Sequence, residues 1–207
     1  MRIPTPQEVG RLMAAAEVWF KPYIALCAFT GLRQGEAAAV KLEDIDFLRR
    51  QLKVTRQVQR LSGGGFEIRP PKYNSERVVF LPAGLLTMLS EHVRTVGVRP
   101  EGWLFVGRSG PPLKTTVHRW WRKAVDSAGL SDITMHELRH FFASGLIANG
   151  CDVVTVQRAM GHANATTTLA TYSHLWPTAE ERISKASEAL MKSSTEILAD
   201  SVRTDAT

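Results

Sequence analysis

The spacing of apolar residues changes twice along the chain, and these changes limit the folds that it can adopt. After a helix-starting Thr5-Pro6-Gln7-Glu8 segment, apolar residues such as Val9 and Leu12 recur at helical spacing. Between about residues 52 and 81 the pattern becomes that of short strands, and from Ala83 onward it is helical again. The sequence therefore predicts an α+β fold that is mainly α-helical, with a small three-stranded antiparallel sheet near the N-terminal half.

Two turns separate the predicted strands, and the second carries a lysine. Ser62–Gly65 is rich in glycine, and Pro70–Ser75 is the second turn. The sequence predicts Lys72 on the second hairpin tip of the sheet, with Lys53 and Arg77 as basic neighbours. The strands themselves are expected at residues 52–58, 66–69 and 77–81.

Charge and composition favour a folded protein with a polyanionic partner. The chain has 207 residues, a formal net charge of +6 and a pI near 9.6, and its basic residues are spread through segments 33–77 and 94–123. No apolar run approaches the roughly 18 residues of a membrane helix, so no membrane partner is expected. Cys27 and Cys151 have no CxxC partner, which favours reduced thiols in a cytosolic protein.

The segment His136-Glu137-Leu138-Arg139-His140 is compatible with two different sites. As His-Glu-x-x-His it has the spacing of a zinc protease helix. As His-x-x-Arg-His it places two imidazoles and a guanidinium on one helix face, which suits a phosphate. Thr134 and Glu137 also fit a capping box, and this structural role competes with that of a general base.

A zinc site would need a third protein ligand that the sequence does not offer at the expected spacing. The residue three positions after His140 is Ala143, and no glutamate occurs between Glu137 and Glu180. Catalytic zinc is normally held by three protein side chains and keeps an open position. We therefore expect no metal in this site.

A second basic position lies at the corner between two helices. Gly31 is expected to end the second helix as its C′ residue, and another helix begins near Gln34. Arg33 lies on this corner, and Glu36 is placed to orient its guanidinium, which suits two phosphate oxygens at once. Taken alone, an Arg33–Glu36 salt bridge between helices is the simpler interpretation.

A third segment combines a histidine and a tyrosine. Gly161 ends an apolar helix and His162 follows it in a loop. Asn164 is expected to cap the helix that carries Tyr172, whose small and polar neighbours favour partial exposure of the ring. The alternative for Tyr172 is a packing role.

Together these segments resemble the tyrosine recombinase, or phage integrase, family. The shared motifs are Thr-Gly-Leu-Arg-x-Gly-Glu at Thr30–Glu36, His-x-Leu-Arg-His at His136–His140, Gly-His at Gly161–His162, and Tyr172. The resemblance covers about Thr5–His174 and implies the family's catalytic-domain fold. It implies a catalytic domain at residues 1–176 and a helical, partly disordered tail at residues 177–207, in a catalytic fragment without the family's preceding DNA-binding domains.

The resemblance also implies a role for each candidate residue. Tyr172 would be the nucleophile that attacks a phosphate of double-stranded DNA and forms a 3′-phosphotyrosine, without cofactor, metal or ATP. Arg33 and Arg139 would stabilise the charge of the transition state. The other implied roles are proton acceptor for His136, donor to the leaving 5′-oxygen for Lys72, hydrogen-bond donor to the phosphate for His162, and orientation of the site for Glu36 and His140.

The C-terminal tail bears on the expected partners. Ile183, Leu190 and Ile197 recur every seven residues, and disorder is expected beyond Asp200. This stripe suits docking either on a neighbouring protomer or on its own domain. The resemblance implies a homo-tetramer on DNA, a monomer free in solution, and a cytoplasmic, DNA-associated protein of prokaryotic or phage origin.

Three other functions stay open at this point. A type IB topoisomerase would share the chemistry but relax supercoils, and Gly161-His162 with the compact chain favours the recombinase. A non-catalytic DNA-binding module would keep the scaffold, although all six candidate active-site positions hold competent residues. The third alternative is the His-Glu-x-x-His zinc hydrolase.

Overall fold

The fold is mainly helical with short antiparallel strands in its middle, which confirms the predicted α+β class. The structure is a computed structural model that describes residues 2–62, 64–99, 101–107 and 110–204, with the backbone alone at residues 179 and 196–204. The helices are α1 (Pro6–Ala15), α2 (Lys21–Thr30), α3 (Gln34–Ala38), α4 (Ala83–Val96), α5 (Lys114–Ser127), α6 (Met135–Ala148), α7 (Val153–Met160), α8 (Ala165–Tyr172) and α9 (Ala179–Thr204). The strands are β1 (Ile45–Asp46), β2 (Gln51–Val54), β3 (Gln57–Arg60), β4 (Phe66–Arg69) and β5 (Arg77–Phe80).

The chain divides into two compact units, Met1–Thr171 and Tyr172–Thr207. The first unit holds α1 to α7, the strands and all of α8 except its last residue. The second unit holds Tyr172, a 3₁₀ turn at Ser173–Leu175 and α9. The division after residue 176 expected from the sequence stays a prediction.

Helix α2 is the core of the first unit. Its side chains are buried on every face because the segment is apolar all round, and it packs on α6, α4, α3 and α1. The hydroxyl of Tyr23 finds a polar partner by donating to the Gln34 carbonyl at 2.6 Å. As predicted, α2 ends at Gly31, which adopts the left-handed conformation at φ 65° and turns the chain into α3.

The strands pair differently from the sequence prediction. The predicted strand 52–58 is interrupted after Val54, and its two halves join different sheets: β1, β2 and β5 form one antiparallel sheet, and β3 and β4 form a separate hairpin. Strand β3 lies against α3, where a Cβ on Gly35 would be 2.9 Å from the Val58 carbonyl oxygen. Leu52, Val54 and Val58 have the same parity, so their spacing alone could not reveal the break.

Lys72 does not lie on a hairpin tip of the sheet, so that prediction is wrong. It begins a 3₁₀ turn, Lys72–Asn74, that connects β4 to β5, and these two strands belong to different sheets because β5 pairs with β2. Lys72 is exposed, and its Nζ lies 4.9 Å from the centre of the Tyr73 ring.

The second unit is dominated by α9. Thr178 and Glu181 cap its start, since each donates a backbone N–H to the other's side chain, at 2.9 and 3.2 Å. Ile183 and Leu190 are exposed on this helix, whereas the side chain of Ile197 lies outside the described part. The helix continues past Asp200 to Thr204; residues 205–207, where disorder was also expected, lie outside the described residues. No helix in the described part of the chain is long and apolar enough to span a bilayer.

We expect Gly31→Ala to lower the free energy of unfolding by about 2–4 kcal/mol, since a residue with a Cβ is strained at positive φ and the core overpacks. The added Cβ would lie 2.5 Å from Cδ1 of Phe142. Urea unfolding measures the change. The matched control is Gly10→Ala, because Gly10 lies within α1 with no atom near the added Cβ. The control should gain about 0.5–1 kcal/mol, and an equal loss in both variants would contradict the account.

Candidate active site

One buried carboxylate binds two arginines where α3 meets β5. The Glu36 side chain has no exposed surface. Its Oε1 accepts from Arg33 Nη1 at 2.9 Å and from Arg77 Nη1 at 3.2 Å, and its Oε2 accepts from the Arg33 backbone N–H and from Arg77 Nη2, both at 2.8 Å. These four bonds fill the acceptor capacity of a carboxylate. Burial raises the pKa of Glu36, but the bonds and charges of Arg77 and Arg33 together lower it below its ordinary value.

Arg33 is positioned by the turn that follows α2. It is the N-cap residue of α3 and has an extended backbone, so its side chain leaves the helix at the start. Its Nη2 donates to the Gly161 carbonyl at 3.2 Å, and its Nη1 lies 3.5 Å from Ser75 Oγ. The side chain is 20% exposed, so the guanidinium is anchored on one side and open on another.

Arg139 lies deeper, in the middle of the first unit. It projects from α6 with 3% of its surface exposed and donates to the carbonyls of Gly31 and Met160. These carbonyls lie at the C-terminal ends of α2 and α7, where the helix dipole favours a cation. The buried charge therefore joins the two helix ends.

The last carbonyls of α7 bind three different arginines. The Ala159 carbonyl accepts from Arg77 Nε at 3.2 Å, the next carbonyl along, at Met160, accepts from Arg139, and the Gly161 carbonyl accepts from Arg33. Gly161 itself is left-handed at φ 61° and ends the helix. Three guanidiniums, from the N-cap of α3, from β5 and from α6, therefore converge on one helix end, which makes the region strongly positive.

Two imidazoles lie on the face of α6 that carries Arg139. His136 is exposed in the first turn and His140 is partly buried one turn later, with ring centres 4.7 Å apart and nearly perpendicular. Partial desolvation, then the charges of Arg139 and Arg33, lower the pKa of His136 below its ordinary 6.5. Desolvation, His136 and Arg139 lower the pKa of His140 to about 4. Both shifts favour the neutral form of the imidazole at pH 7.

His162 lies beside the same three arginines. Its Nδ1 is 2.9 Å from Thr168 Oγ1 in α8, and its carbonyl accepts from Gln157 Nε2 at 3.1 Å. Desolvation, then the charges of Arg139, Arg33 and Arg77, lower the pKa of His162 to about 4. A neutral imidazole held in this way keeps one ring nitrogen for a ligand.

Glu137, the possible general base of a His-Glu-x-x-His zinc site, caps the start of α6. The backbone N–H of Thr134 donates to Glu137 Oε2 at 2.5 Å, which confirms the predicted capping box. Among the residues that the structure describes, no group of three His, Cys, Asp or Glu side chains lies together in a way that could hold a metal ion.

A cleft of about 750 Å³ in the first unit opens beside these groups. Arg33, His136 and Arg139 line this cleft. Helix α5 contributes Lys114, His118 and Arg122 to the same lining. A cleft lined by several basic and imidazole side chains suits a polyanionic chain, whose phosphates attract them along its length.

Lys72 and Tyr172 complete the set of candidates. The Lys72 carbonyl accepts from Ser75 Oγ at 2.9 Å, and because Ser75 also approaches Arg33, the Lys72 turn is held near that arginine. Tyr172 is the last residue of α8 and is 1% exposed, in contrast to the partial exposure expected from its neighbours.

The predicted N-cap of α8 at Asn164 is confirmed, since its Oδ1 accepts the Thr167 N–H at 3.0 Å.

Arg77 was missed as a site residue, although the sequence contained a signal for it. Strand β5 alternates, with Val79 buried and Val78 and Phe80 exposed, so Arg77 has the parity of the buried face. A charge on the inner face of a strand needs a buried partner of opposite sign. The pattern therefore indicates a buried acidic partner for Arg77, and in the structure this partner is Glu36.

Comparison with known proteins establishes the family. The sequence profile of the Phage integrase family matches residues 3–178. The chain belongs to the phage integrase family. The ICEBs1 integrase of Bacillus subtilis (strain 168) is 26% identical over 203 residues, which cover 92% of this chain and 55% of that protein. The chain thus spans about half the length of this integrase.

Solved structures of two integrases share the fold. The Tn1549 transposon integrase, in complex with transposon right end DNA, superposes with a TM-score of 0.75 at 22% identity, over 92% of this chain and 66% of that one. The catalytic domain of bacteriophage HP1 integrase superposes with a TM-score of 0.65 at 20% identity, over 89% of this chain and 94% of that one. The predicted tyrosine recombinase catalytic-domain fold is therefore confirmed.

The free energy of unfolding should fall as the pH is lowered from about 6.5 to about 4. The pKa values of His140 and His162 are lowered to about 4 in the folded chain, so between these pH values the unfolded chain binds more protons than the folded one. Urea unfolding at several pH values measures the slope. His162→Gln removes one such group and should flatten the slope, whereas an unchanged slope would contradict the assigned environment of His162.

Proposed function

We propose that this chain is the strand-transfer domain of a site-specific DNA recombinase. The observation that carries the proposal is the convergence of Arg33, Arg77 and Arg139 on the end of α7, with the neutral imidazoles of His136 and His162 beside them. Fixed guanidiniums stabilise the extra negative charge of a phosphoryl-transfer transition state. Membership of the phage integrase family supports the same chemistry.

The proposed reaction conserves the phosphodiester energy. The Tyr172 hydroxyl attacks the scissile phosphorus, its proton passes to neutral His136, and the bond to the 5′-oxygen breaks. Lys72 gives a proton to the leaving 5′-oxygen, which yields a 3′-phosphotyrosine and a free 5′-hydroxyl. Reversal with another 5′-hydroxyl rejoins a strand without ATP.

The side chains around the phosphate have separate proposed roles. Arg33 binds non-bridging phosphate oxygens with the exposed side of its guanidinium. Arg139, which is held by carbonyls at the ends of α2 and α7, adds a second positive charge. His162 donates a hydrogen bond from the ring nitrogen that faces away from Thr168. Glu36 orients Arg33, and His140 supports the His136 face of α6.

Double-stranded DNA is the proposed partner. The basic cleft between α6 and α5 supports this, together with the net charge of +6 and the fold shared with an integrase solved on DNA. We also propose a tetramer on DNA, in which the exposed apolar residues Ile183 and Leu190 of α9 dock on a neighbouring protomer. The free chain is proposed to be monomeric and cytoplasmic.

Covalent trapping tests the chemistry. The chain is incubated with a pool of nicked duplexes of randomised sequence, and adducts that resist SDS and EDTA are isolated and sequenced. Tyr172→Phe should abolish the adduct, because no phosphotyrosine bond can form. The matched control is Tyr73→Phe, since Tyr73 is 68% exposed, and it should keep the adduct.

The products of this assay separate the alternatives. An adduct that persists in Tyr172→Phe, or activity lost on chelation, contradicts the proposal. DNA binding without any adduct in the wild-type chain indicates a non-catalytic binding module. Relaxation of supercoiled plasmid without exchange of strands indicates a topoisomerase.

Arg33→Lys should slow formation of the adduct by roughly 10²–10³-fold, since a lysine cannot bind two phosphate oxygens as a planar fork. DNA affinity, measured by fluorescence anisotropy, should change much less because the charge is kept. Arg11→Lys is the control, because Arg11 is an exposed arginine of α1. A rate within twofold of wild type for Arg33→Lys would remove Arg33 from the proposed phosphate clamp.

A further inference from the structure

Arg77 is held at both ends of its guanidinium by groups from other segments. Its side chain is 7% exposed, with Nη1 and Nη2 on the two oxygens of Glu36 and Nε on the Ala159 carbonyl. Nη1 also approaches the Ser75 carbonyl at 3.4 Å. One side chain on β5 therefore joins α3, the end of α7 and the turn that carries Lys72.

Gly161 is packed directly against this side chain. A Cβ on Gly161 would lie 2.9 Å from Arg77 Nη1 and 3.1 Å from its Cδ, so a residue other than glycine would displace the guanidinium. The Gly161 carbonyl in turn accepts from Arg33. The peptide that leads into His162 is thus enclosed by Arg77 on one side and Arg33 on another.

We infer that Arg77 is a positioning residue of the strand-transfer site, which sets the direction of the Arg33 guanidinium through Glu36 and the place of His162 through Ala159 and Gly161. This inference rests on the proposed function. Arg77 is not a catalytic residue, since its donors are directed at Glu36 and at backbone carbonyls.

Competition for the Glu36 carboxylate gives the physical reason. Arg77 occupies one acceptor position on each oxygen, so the Arg33 guanidinium binds Glu36 through Nη1 and donates its Nη2 to Gly161. Without Arg77, two positions on a buried carboxylate lose their donors, and Arg33, which already binds Glu36, can turn toward them. A second bond to Glu36 would draw Arg33 away from the cleft and from a bound phosphate.

The simpler interpretation is that Arg77 forms only a stabilising buried ion pair. The chain contains a matched example in Arg56, whose Nη1 binds the largely buried Asp44 at 2.7 Å, with Glu43 nearby. Loss of either arginine removes a guanidinium donor from a largely buried carboxylate. Among folded molecules, only the loss of Arg77 should slow the cleavage of DNA.

Single-turnover cleavage of a nicked duplex recovered by covalent trapping tests the inference. Arg77→Gln should cleave roughly 10²-fold more slowly than wild type, because a small displacement of a clamp has that effect, while DNA affinity changes less than about threefold. Arg77→Lys should give an intermediate rate. Arg56→Gln should cleave within twofold of wild type, at a temperature where unfolding curves show all variants folded.

A folded Arg77→Gln variant that cleaves at the wild-type rate would overturn the inference while leaving the proposed function intact. If Arg77→Gln does not fold, the same criterion applies to Arg77→Lys. If the wild-type chain forms no adduct, the proposed function fails, and NMR titration of His162 then tests the positioning role alone.

The NMR titration needs no DNA. Besides desolvation, Arg139, Arg33, Arg77 and His140 lower the pKa of His162 to about 4, and Thr168 contacts its Nδ1. Arg77→Gln should raise this pKa and shift the His162 ring resonances, with Arg77→Lys changing the shifts alone. Arg56→Gln should leave both unchanged. Identical His162 titrations in wild type and Arg77→Gln would contradict the inference.

Discussion

Three guanidinium groups converge on one helix end, and the organisation of the site follows from the way their mutual repulsion is offset. Glu36 accepts three hydrogen bonds from two of these groups and a fourth from the Arg33 backbone N–H. The last carbonyls of α7 accept one bond from each of the three guanidinium groups. The negative end of the helix dipole adds to this attraction. The protein neutralises only part of the positive charge of the three guanidinium groups. The remaining positive charge can bind a phosphate.

The motif glycines make this convergence possible. Gly31 and Gly161 end α2 and α7 in left-handed conformations, which directs the carbonyls at these two helix ends toward Arg139. Gly31 lies against Phe142 and Gly161 against Arg77, so neither position has space for a side chain. The spacing of arginines and glycines in the sequence therefore reflects packing around a shared set of charges. Desolvation, with the charge of Arg139 adding to it, lowers the pKa values of both His140 and His162 to about 4.

Local features of the site could be predicted from the sequence, and long-range pairings could not. The capping box at Thr134 and Glu137, the end of α2 at Gly31 and the cap at Asn164 depend on neighbours within four residues, and all three are found. Strand β5 pairs with β2 instead of β4, and this pairing depends on tertiary contacts that local sequence does not reveal. Because β4 and β5 do not form a hairpin, Lys72 does not lie on a hairpin tip. The Arg77–Glu36 pair joins residues 41 positions apart, so only the inward parity of β5 could have indicated it.

The most direct measurement locates the covalent bond between the chain and DNA. The trapped adduct is digested with nuclease and protease, and mass spectrometry identifies the residue that carries the remaining nucleotide. The proposed mechanism predicts a nucleotide linked through its 3′-phosphate to Tyr172. A nucleotide on any other residue, or saturated DNA binding with no covalent nucleotide on the chain, would contradict it.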